Sequence, residues 1–246
     1  MDNSIFFGSG GSTLEAFSAP HLAVIAAILL LCAVLVVYRN SFKTEKSKNT
    51  FRYVFAVFIA MQQASIYIWY TISGEWSLEV TLPLQLCDLS LFLTIAVLLA
   101  KRQLIFELLY YWGMGGATQA LLTPDIGNYT FPHFVFCQFF VSHGVILLVC
   151  IYMIAVEKFR PSPRSVLRTF VITNLYALLI LPVNKLTNGN YLFLNRKPAG
   201  GSLLDFLGPW PWYLLSLEVV ALLLFTLLYL PFVPRRITTG KTGISA

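Results

Sequence analysis

Seven long runs of apolar residues separate the polar segments of this chain, and they constrain its fold more than any other feature. A helix needs about 20 consecutive apolar residues to cross the hydrocarbon core of a bilayer. The runs cover residues 20–38, 51–72, 82–100, 104–122, 131–156, 166–183 and 209–233. The sequence therefore predicts an all-α polytopic membrane protein with seven transmembrane helices, organised as a single domain over 1–246.

Composition supports the same class, because 57% of the 246 residues are hydrophobic and only 11% are charged. Soluble domains carry about a quarter charged residues. These values exclude a soluble globular domain, a disordered chain and a disulfide-stapled secreted module. The four cysteines lie inside apolar runs and form no CxxC pair, so we expect neither a redox motif nor a metal knuckle.

The basic residues predict the orientation of the chain, because cytoplasmic connections of membrane proteins are enriched in Lys and Arg. All 17 except Lys185, Arg196 and Lys197 lie in the first, third and fifth connections or in the C-terminal tail. This pattern predicts an outer N-terminal segment at 1–19 and a cytoplasmic tail at 234–246, in a bacterial cytoplasmic membrane. The net charge of +6 then reflects topology, and we expect no nucleic-acid partner.

Polar side chains gather near the outer ends of the third, fifth and seventh runs, where polar groups mark functional sites by default. Cys87 and His143 have the clearest chemical meaning, because a thiolate accepts acyl groups and an imidazole takes its proton. By depth His133 is an equally good base, so the choice between the two histidines stays open. The further supporting or substrate-binding candidates are Gln85, Asp88, Asp125, Lys197, Asp205, Trp210, Trp212 and Glu218.

The other intramembrane polar residues, mainly glutamines and Asn174, are expected to form hydrogen bonds between helices. Glu107 lies near the inner end of the fourth run, where we expect it to meet Lys101 or Arg102. The connection at 184–208 is longer than a helix hairpin needs and predicts an ordered or partly re-entrant loop. We expect no metal site and no cofactor, because the three histidines are far apart in the sequence.

Several motifs together resemble one family, and they extend from the third run to the seventh. They are LPLQLCDLS at 82–90, LTPD at 122–125, FPHF at 131–134, SHG at 142–144, NYL at 190–192, KP at 197–198 and LDFLGPWPWY at 204–213. In these motifs the chain resembles the YwaF family of bacterial integral membrane proteins, related to eukaryotic transmembrane protein 164. The resemblance implies a seven-helix membrane fold shared with the androgen-dependent fatty-ester hydrolases.

The resemblance also implies an activity, since the eukaryotic relative looks like an acyltransferase that works between phospholipids without a CoA donor. Its cysteine nucleophile in the third span and histidine base in the fifth fall on Cys87 and His143 by motif. The implied partners are membrane lipids, with a phospholipid as acyl donor and a lysolipid as acceptor. Two alternatives stay open: a lipid hydrolase that uses the same site, and a non-catalytic lipid-binding or transport protein.

Overall fold

A computed structural model describes residues 6–8, 10–198 and 202–233 of the chain. Over these residues the protein is helical and contains no β-strand. The predicted cytoplasmic tail at 234–246 and the first five residues of the predicted outer segment lie outside the described residues. The prediction of an all-helical protein is confirmed for the part of the chain that is described.

Between residues 19 and 229 the described part of the chain forms eight α-helices, numbered here in chain order. They are α1 (Ala19–Val37), α2 (Glu45–Ser73), α3 (Leu86–Ala100), α4 (Gln103–Trp112), α5 (Thr118–Leu122), α6 (Phe134–Ala155), α7 (Ser165–Thr187) and α8 (Trp212–Tyr229). A π-helical segment at Gly113–Ala117 joins α4 to α5. Short 3₁₀ turns follow α1 at Tyr38–Ser41 and occupy Tyr191–Phe193, Leu203–Leu207 and Leu230–Phe232.

Five of these helices, α1, α2, α6, α7 and α8, are long and apolar enough to cross a membrane. The third predicted span is represented by the shorter helix α3, and the fourth by α4, the π segment and α5 together. The coarse prediction of a polytopic helical membrane protein agrees with these lengths. The count of seven spans and the direction of the chain stay predictions.

Helix α2 begins before the apolar run that predicted it, because capping and not hydropathy sets its first residue. The N-cap Thr44 accepts a hydrogen bond from the backbone N–H of Ser47 at 3.1 Å, and Glu45 places an acid in the first turn. Both features stabilise a helix N-terminus. At the other end Gly74 takes the left-handed conformation that ends many helices.

Helix α6 packs closely against α1 and against the π segment, and glycines permit both approaches. A Cβ atom on Gly144 would lie 2.9 Å from Cγ1 of Ile28 in α1. A Cβ atom on Gly113 would lie 2.7 Å from Cγ2 of Ile146 in α6. Small residues that let helices approach closely are typical of membrane helix interfaces. Helix α6 therefore occupies a central position, which matters because it carries His143.

Glu107 does not meet Lys101 or Arg102, so that expectation is wrong. Its carboxylate is fully buried and accepts hydrogen bonds from Arg168 at 3.2 Å, from the N–H of Ser162 at 3.0 Å and from Gln103 at 3.0 Å. Lys101 instead pairs with Glu157 at 3.0 Å. The reason is tertiary: Glu107 points toward the start of α7, a direction that distance along the chain does not reveal.

Candidate active site

A cavity of about 220 Å³ lies between α2, the N-terminal end of α3 and the middle of α6. Its wall unites residues from position 63 to position 146 of the sequence, and many of them are polar. The polar and reactive side chains in the wall are Gln63, Tyr67, Tyr70, Thr81, Gln85, Cys87, Asp88, Asp125, Gln138, Ser142 and His143. Five of the residues singled out from the sequence are among them: Gln85, Cys87, Asp88, Asp125 and His143.

Cys87 is the one cysteine of the four in the cavity wall. It is half-buried, whereas Cys32 and Cys150 are buried in the hydrophobic core. Cys150 points its sulfur at a backbone carbonyl, 3.7 Å away, and Cys137 does the same at 3.9 Å. Cys87 and Cys137 are thus the two partly exposed thiols, and of these two only Cys87 lines the cavity.

The position of Cys87 in its helix is chemically useful, because it is the second residue of α3. The first N–H groups of an α-helix have no partner inside the helix, and the helix dipole makes this end positive. Negative charge that develops on a thiol or on a substrate oxygen is favoured there. Oδ2 of the neighbouring Asp88 accepts a hydrogen bond from the N–H of Gln85 at 3.3 Å, so one of its carboxylate oxygens already has a partner.

His143 is the histidine of the cavity, and one hydrogen bond defines its tautomer. Its Nδ1 lies 2.8 Å from the carbonyl oxygen of Phe139. Because a carbonyl only accepts, Nδ1 carries the proton and Nε2 carries the lone pair. Nε2 has no hydrogen-bond partner among the described residues, while the ring packs on that of Phe139 with centroids 4.2 Å apart. His143 therefore presents a basic nitrogen in a defined orientation.

His133 is placed differently, as the N-cap of α6 and not in the cavity wall. Its Nδ1 accepts from the N–H of Val135 at 3.1 Å, and its Nε2 donates to the carbonyl of Gly8 at 2.9 Å. His21 likewise accepts one backbone N–H and donates to one backbone carbonyl. Both nitrogens of these two histidines are occupied, so the geometry favours His143 as the base.

A hydrogen-bond network fixes α6 against α2 next to this histidine. The amide nitrogen of Gln62 donates to Oγ of Ser142 at 2.5 Å and to the carbonyl of Gln138 at 3.3 Å. Ser142 in turn donates to the same carbonyl at 2.8 Å. Because Ser142 precedes His143, the network holds the backbone that carries the imidazole.

Tyr67 and Tyr70 are cavity residues that the sequence analysis did not select. They share one face of α2 with Gln63, because residues three or four positions apart lie above one another on a helix. The spacing 63, 67, 70 was therefore the available signal. This spacing was not distinctive in the sequence, because the chain has many aromatic residues, which include 12 tyrosines.

The residues before α3 are not helical, and the long connection after α7 holds them in place. The hydroxyl of Tyr191 donates to the carbonyl of Leu78 at 2.8 Å and accepts from the N–H of Leu82 at 3.0 Å. Oε1 of Gln85 accepts from the N–H of Leu192 at 2.9 Å. Non-helical backbone at membrane depth needs such partners inside the protein. Gln85 thus connects the long loop to the helix end that carries Cys87.

Asp125 reaches the cavity from the connection between α5 and α6, and it is partly exposed. Desolvation by the surrounding wall raises the pKa of its carboxyl above the ordinary value. A carboxyl with a raised pKa more readily holds a proton than an ordinary aspartate does. Asp125 is therefore available at the cavity as a hydrogen-bond partner of either kind.

Four of the predicted residues lie outside the cavity wall, on the loop side of α8. Nζ of Lys197 lies 5.6 Å from the ring centroid of Tyr213. Asp205 accepts from the N–H of Ser202 at 2.8 Å in a short helical turn. Trp210 donates to a loop carbonyl at 3.2 Å, and Trp212 is largely exposed. The contacts of Lys197, Asp205 and Trp210 are thus local to the connection before α8.

Glu218 also lies away from the cavity, in the middle of α8. It accepts a hydrogen bond from Nδ2 of Asn174 in α7 at 2.8 Å. Asn174 thus makes the interhelical bond that the sequence predicted for it. This carboxylate and amide pair joins α7 to α8 and lies away from the cavity.

Comparison with known proteins shows a family that the chain matches and a bacterial relative. The model of the TMEM164 family matches residues 16–229, and this confirms the predicted relation to transmembrane protein 164 without bearing on the YwaF name. A protein of Treponema pallidum (strain Nichols) is 27% identical over 221 residues, which cover 89% of this chain and 90% of that protein. Its name, "Uncharacterized protein", assigns it no activity. No solved structure matches the chain.

Proposed function

The chain belongs to the TMEM164 family, and from this premise we propose that it is a membrane acyltransferase acting through a thioester on Cys87. It would move a fatty acyl chain from a glycerophospholipid to a lysolipid without a CoA donor. One observation carries the proposal. The only cysteine in the cavity wall shares that cavity with His143, whose Nε2 is free to accept a proton.

In the first half of the reaction, Nε2 of His143 takes the proton of the Cys87 thiol. The thiolate attacks the ester carbonyl carbon of the phospholipid and forms a tetrahedral intermediate. Its oxyanion is favoured by the positive N-terminal end of α3, as backbone N–H groups favour such charges in acyl transfer. The bond from carbon to the glycerol oxygen then breaks, the imidazolium returns the proton to that oxygen, and the lysolipid leaves.

In the second half, the thioester passes its acyl group to a new oxygen. A lysolipid hydroxyl enters, His143 takes its proton, and the hydroxyl oxygen attacks the thioester carbonyl. Collapse of the intermediate releases the Cys87 thiolate, which recovers its proton from the imidazolium. If water enters in place of the lysolipid, the same steps give free fatty acid. The acceptor alone therefore distinguishes a transferase from a hydrolase.

The size of the cavity fits the reacting part of a lipid. Its volume of about 220 Å³ is below the range of roughly 300–1,000 Å³ typical of pockets that enclose a whole ligand. It accommodates the ester and part of the glycerol while the acyl chains stay among the bilayer lipids. With the orientation that the basic residues predict, the cavity lies in the outer half of the membrane, so outer-leaflet lipids would be the substrates.

The test is an intact-mass measurement on the purified protein after incubation with phosphatidylcholine of one defined chain length. We expect a mass increase of one acyl group, its removal by neutral hydroxylamine, and its absence in Cys87→Ser. The matched control is Cys137→Ser, which removes a thiol outside the cavity wall and should acylate normally. Labelled lysolipid then reports the acceptor step.

The outcomes separate the competing functions. Free fatty acid and lysolipid without labelled product would identify a hydrolase. No acyl adduct and no lysolipid would leave a lipid-binding or transport protein. Acylation that persists in Cys87→Ser would reject Cys87 as the nucleophile.

A further inference from the structure

A second cavity, of about 470 Å³, lies at the other end of α2, where the turn after α1 meets the end of α6. Its wall contains four cationic side chains contributed by two connections. They are Arg39, Lys43, Lys48 and Lys158. Lys48 lies in the first turn of α2, 19 residues before Tyr67, which is roughly 30 Å along a helix. This cavity is therefore separate from the one that contains Cys87.

The cations of this basic cavity are only partly neutralised. Lys48 pairs with Glu45 at 2.8 Å. The other nearby acid, Glu157, pairs with Lys101, which also approaches Glu45 at 3.7 Å. Among the described residues Arg39, Lys43 and Lys158 have no carboxylate partner. Three cationic residues thus line one cavity without a carboxylate partner in the described part of the chain.

Two of these cations are exposed, and each donates one hydrogen bond to a backbone carbonyl. Nη1 of Arg39 donates to the carbonyl of Val36 at 2.8 Å, and Nζ of Lys158 donates to the carbonyl of Ala155 at 2.7 Å. These carbonyls belong to the C-terminal ends of α1 and α6. Arginine has five N–H donors and lysine three, so both side chains keep donors for a ligand.

One aromatic residue of the wall, Phe42, is packed against the helices behind it. Phe42 lines the cavity and packs edge-on against Phe51, with centroids 5.4 Å apart, and against Tyr152 at 5.6 Å. Phe51 and Tyr152 are themselves stacked at 4.2 Å. This packing joins the connection after α1 to α2 and α6 beside the cations.

Lys158 has a backbone conformation that favours glycine or asparagine. Its φ is 64°, in the left-handed region that most residues other than glycine and asparagine avoid. A lysine nevertheless occupies this position in the cavity wall. Strained residues persist where the surrounding structure determines them, often at binding sites.

From these features we propose that the basic cavity binds a phosphate group. Lys and Arg clusters beside membrane helices recognise phosphate-bearing head groups, and arginine matches phosphate oxygens with paired donors. A volume of about 470 Å³ holds a phosphorylated head group. The end of α1 next to it exposes Val37 and Tyr38, as expected at a membrane surface. An anionic phospholipid is thus the natural source of the phosphate, and a soluble phosphate ester is the other.

The test uses the full-length protein in detergent with a small excess of phosphatidylglycerol, and native mass spectrometry counts the bound lipids. We expect at least about tenfold weaker binding in the triple variant Arg39→Gln, Lys43→Gln, Lys158→Asn. The last change keeps a residue that tolerates the left-handed conformation. The control triple variant, Lys46→Gln, Arg102→Gln, Arg164→Gln, changes the net charge equally at exposed positions outside the cavity and should bind normally.

Competition identifies the source of the phosphate. Glycerol phosphate or inorganic phosphate is added to the protein that carries bound phosphatidylglycerol, and phosphatidylcholine serves as the neutral lipid for comparison. Displacement of phosphatidylglycerol by either soluble anion assigns the site to a phosphate ester in general, whereas resistance assigns it to the lipid. Equal losses in both triple variants, or no loss in either, would overturn the proposal. Should the triple variant not fold, the single variants Lys43→Gln and Lys158→Asn must each weaken binding for the proposal to survive.

Discussion

The imidazole of His143 donates from Nδ1 to the carbonyl oxygen of Phe139, 2.8 Å away and one turn earlier in α6. This bond orients the ring without the help of a carboxylate. In many nucleophile and base pairs a third group orients the base through a side chain. Here the backbone of α6 has that role, so the position of the base depends on how α6 is packed.

The first prediction concerns the reactivity of the Cys87 thiol. Alkylation by iodoacetamide requires the thiolate, and in the proposed mechanism His143 takes the proton of the thiol. In His143→Gln we expect alkylation of Cys87 at neutral pH to slow by at least about tenfold, since general bases contribute roughly 10²–10⁴-fold to proton-transfer steps. Peptide mass spectrometry measures the modified fraction against time.

Cys137 in the same sample serves as the internal control for this experiment. It lies outside the cavity wall, so its alkylation rate should be equal in both proteins. Unchanged alkylation of Cys87 in His143→Gln would show that the histidine does not act on the thiol. A parallel change at Cys137 would indicate a general loosening of the structure.

The second prediction concerns Tyr191, whose side chain is 1% exposed. Tyr191→Phe removes the hydroxyl that bonds both Leu78 and Leu82. Leaving buried backbone groups without partners costs about 1–3 kcal/mol. We expect the free energy of unfolding to fall by that amount and amide exchange to accelerate in the peptide covering 78–85.

Tyr38→Phe is the matched control, because the side chain of Tyr38 is 62% exposed. Thermal unfolding in detergent and hydrogen exchange measured by mass spectrometry give the two readouts. If Tyr191→Phe leaves both unchanged, the loop does not support the start of α3 in the way the hydrogen bonds indicate.

The sequence was sufficient to predict the helical class, and five of the residues it singled out line one cavity. Hydropathy locates apolar runs, and depth within a run selects polar residues such as Cys87 and His143 that do not suit lipid. Neither property specifies which helices are neighbours. For this reason Glu218 was grouped with the site although it pairs with Asn174, and Glu107 was assigned the wrong partner.

The choice between His133 and His143 shows the same limit at the level of single atoms. Both histidines lie in one apolar run, and the sequence gives no basis for ranking them. The difference is in the hydrogen bonds, since His133 uses both nitrogens to cap α6 while His143 uses one. Such bonds depend on Gly8 and on the helix boundary, which appear only in three dimensions.

The third prediction concerns the contact between Gly144 and Ile28. A Cβ atom at 144 would lie 2.9 Å from Cγ1 and 3.1 Å from Cδ1 of Ile28. Gly144→Ala therefore forces the isoleucine or α1 to shift, and overpacking of this kind costs about 1–3 kcal/mol. Shortening the neighbour in Ile28→Ala leaves a space that the new methyl group can partly fill. We thus expect the double variant to be more stable than the sum of the two single changes predicts.

A double-mutant cycle on thermal unfolding in detergent measures this coupling, which for contacting residues is about 0.5–3 kcal/mol. Ile28→Ala combined with Gly116→Ala is the control, because a Cβ atom at Gly116 would meet nothing within 4 Å. That pair should behave additively. Additive behaviour of Gly144→Ala with Ile28→Ala as well would contradict the close packing of α1 on α6. Coupling between Gly144→Ala and Ile28→Ala would show that Gly144, the residue after His143, sets the spacing between α6 and α1.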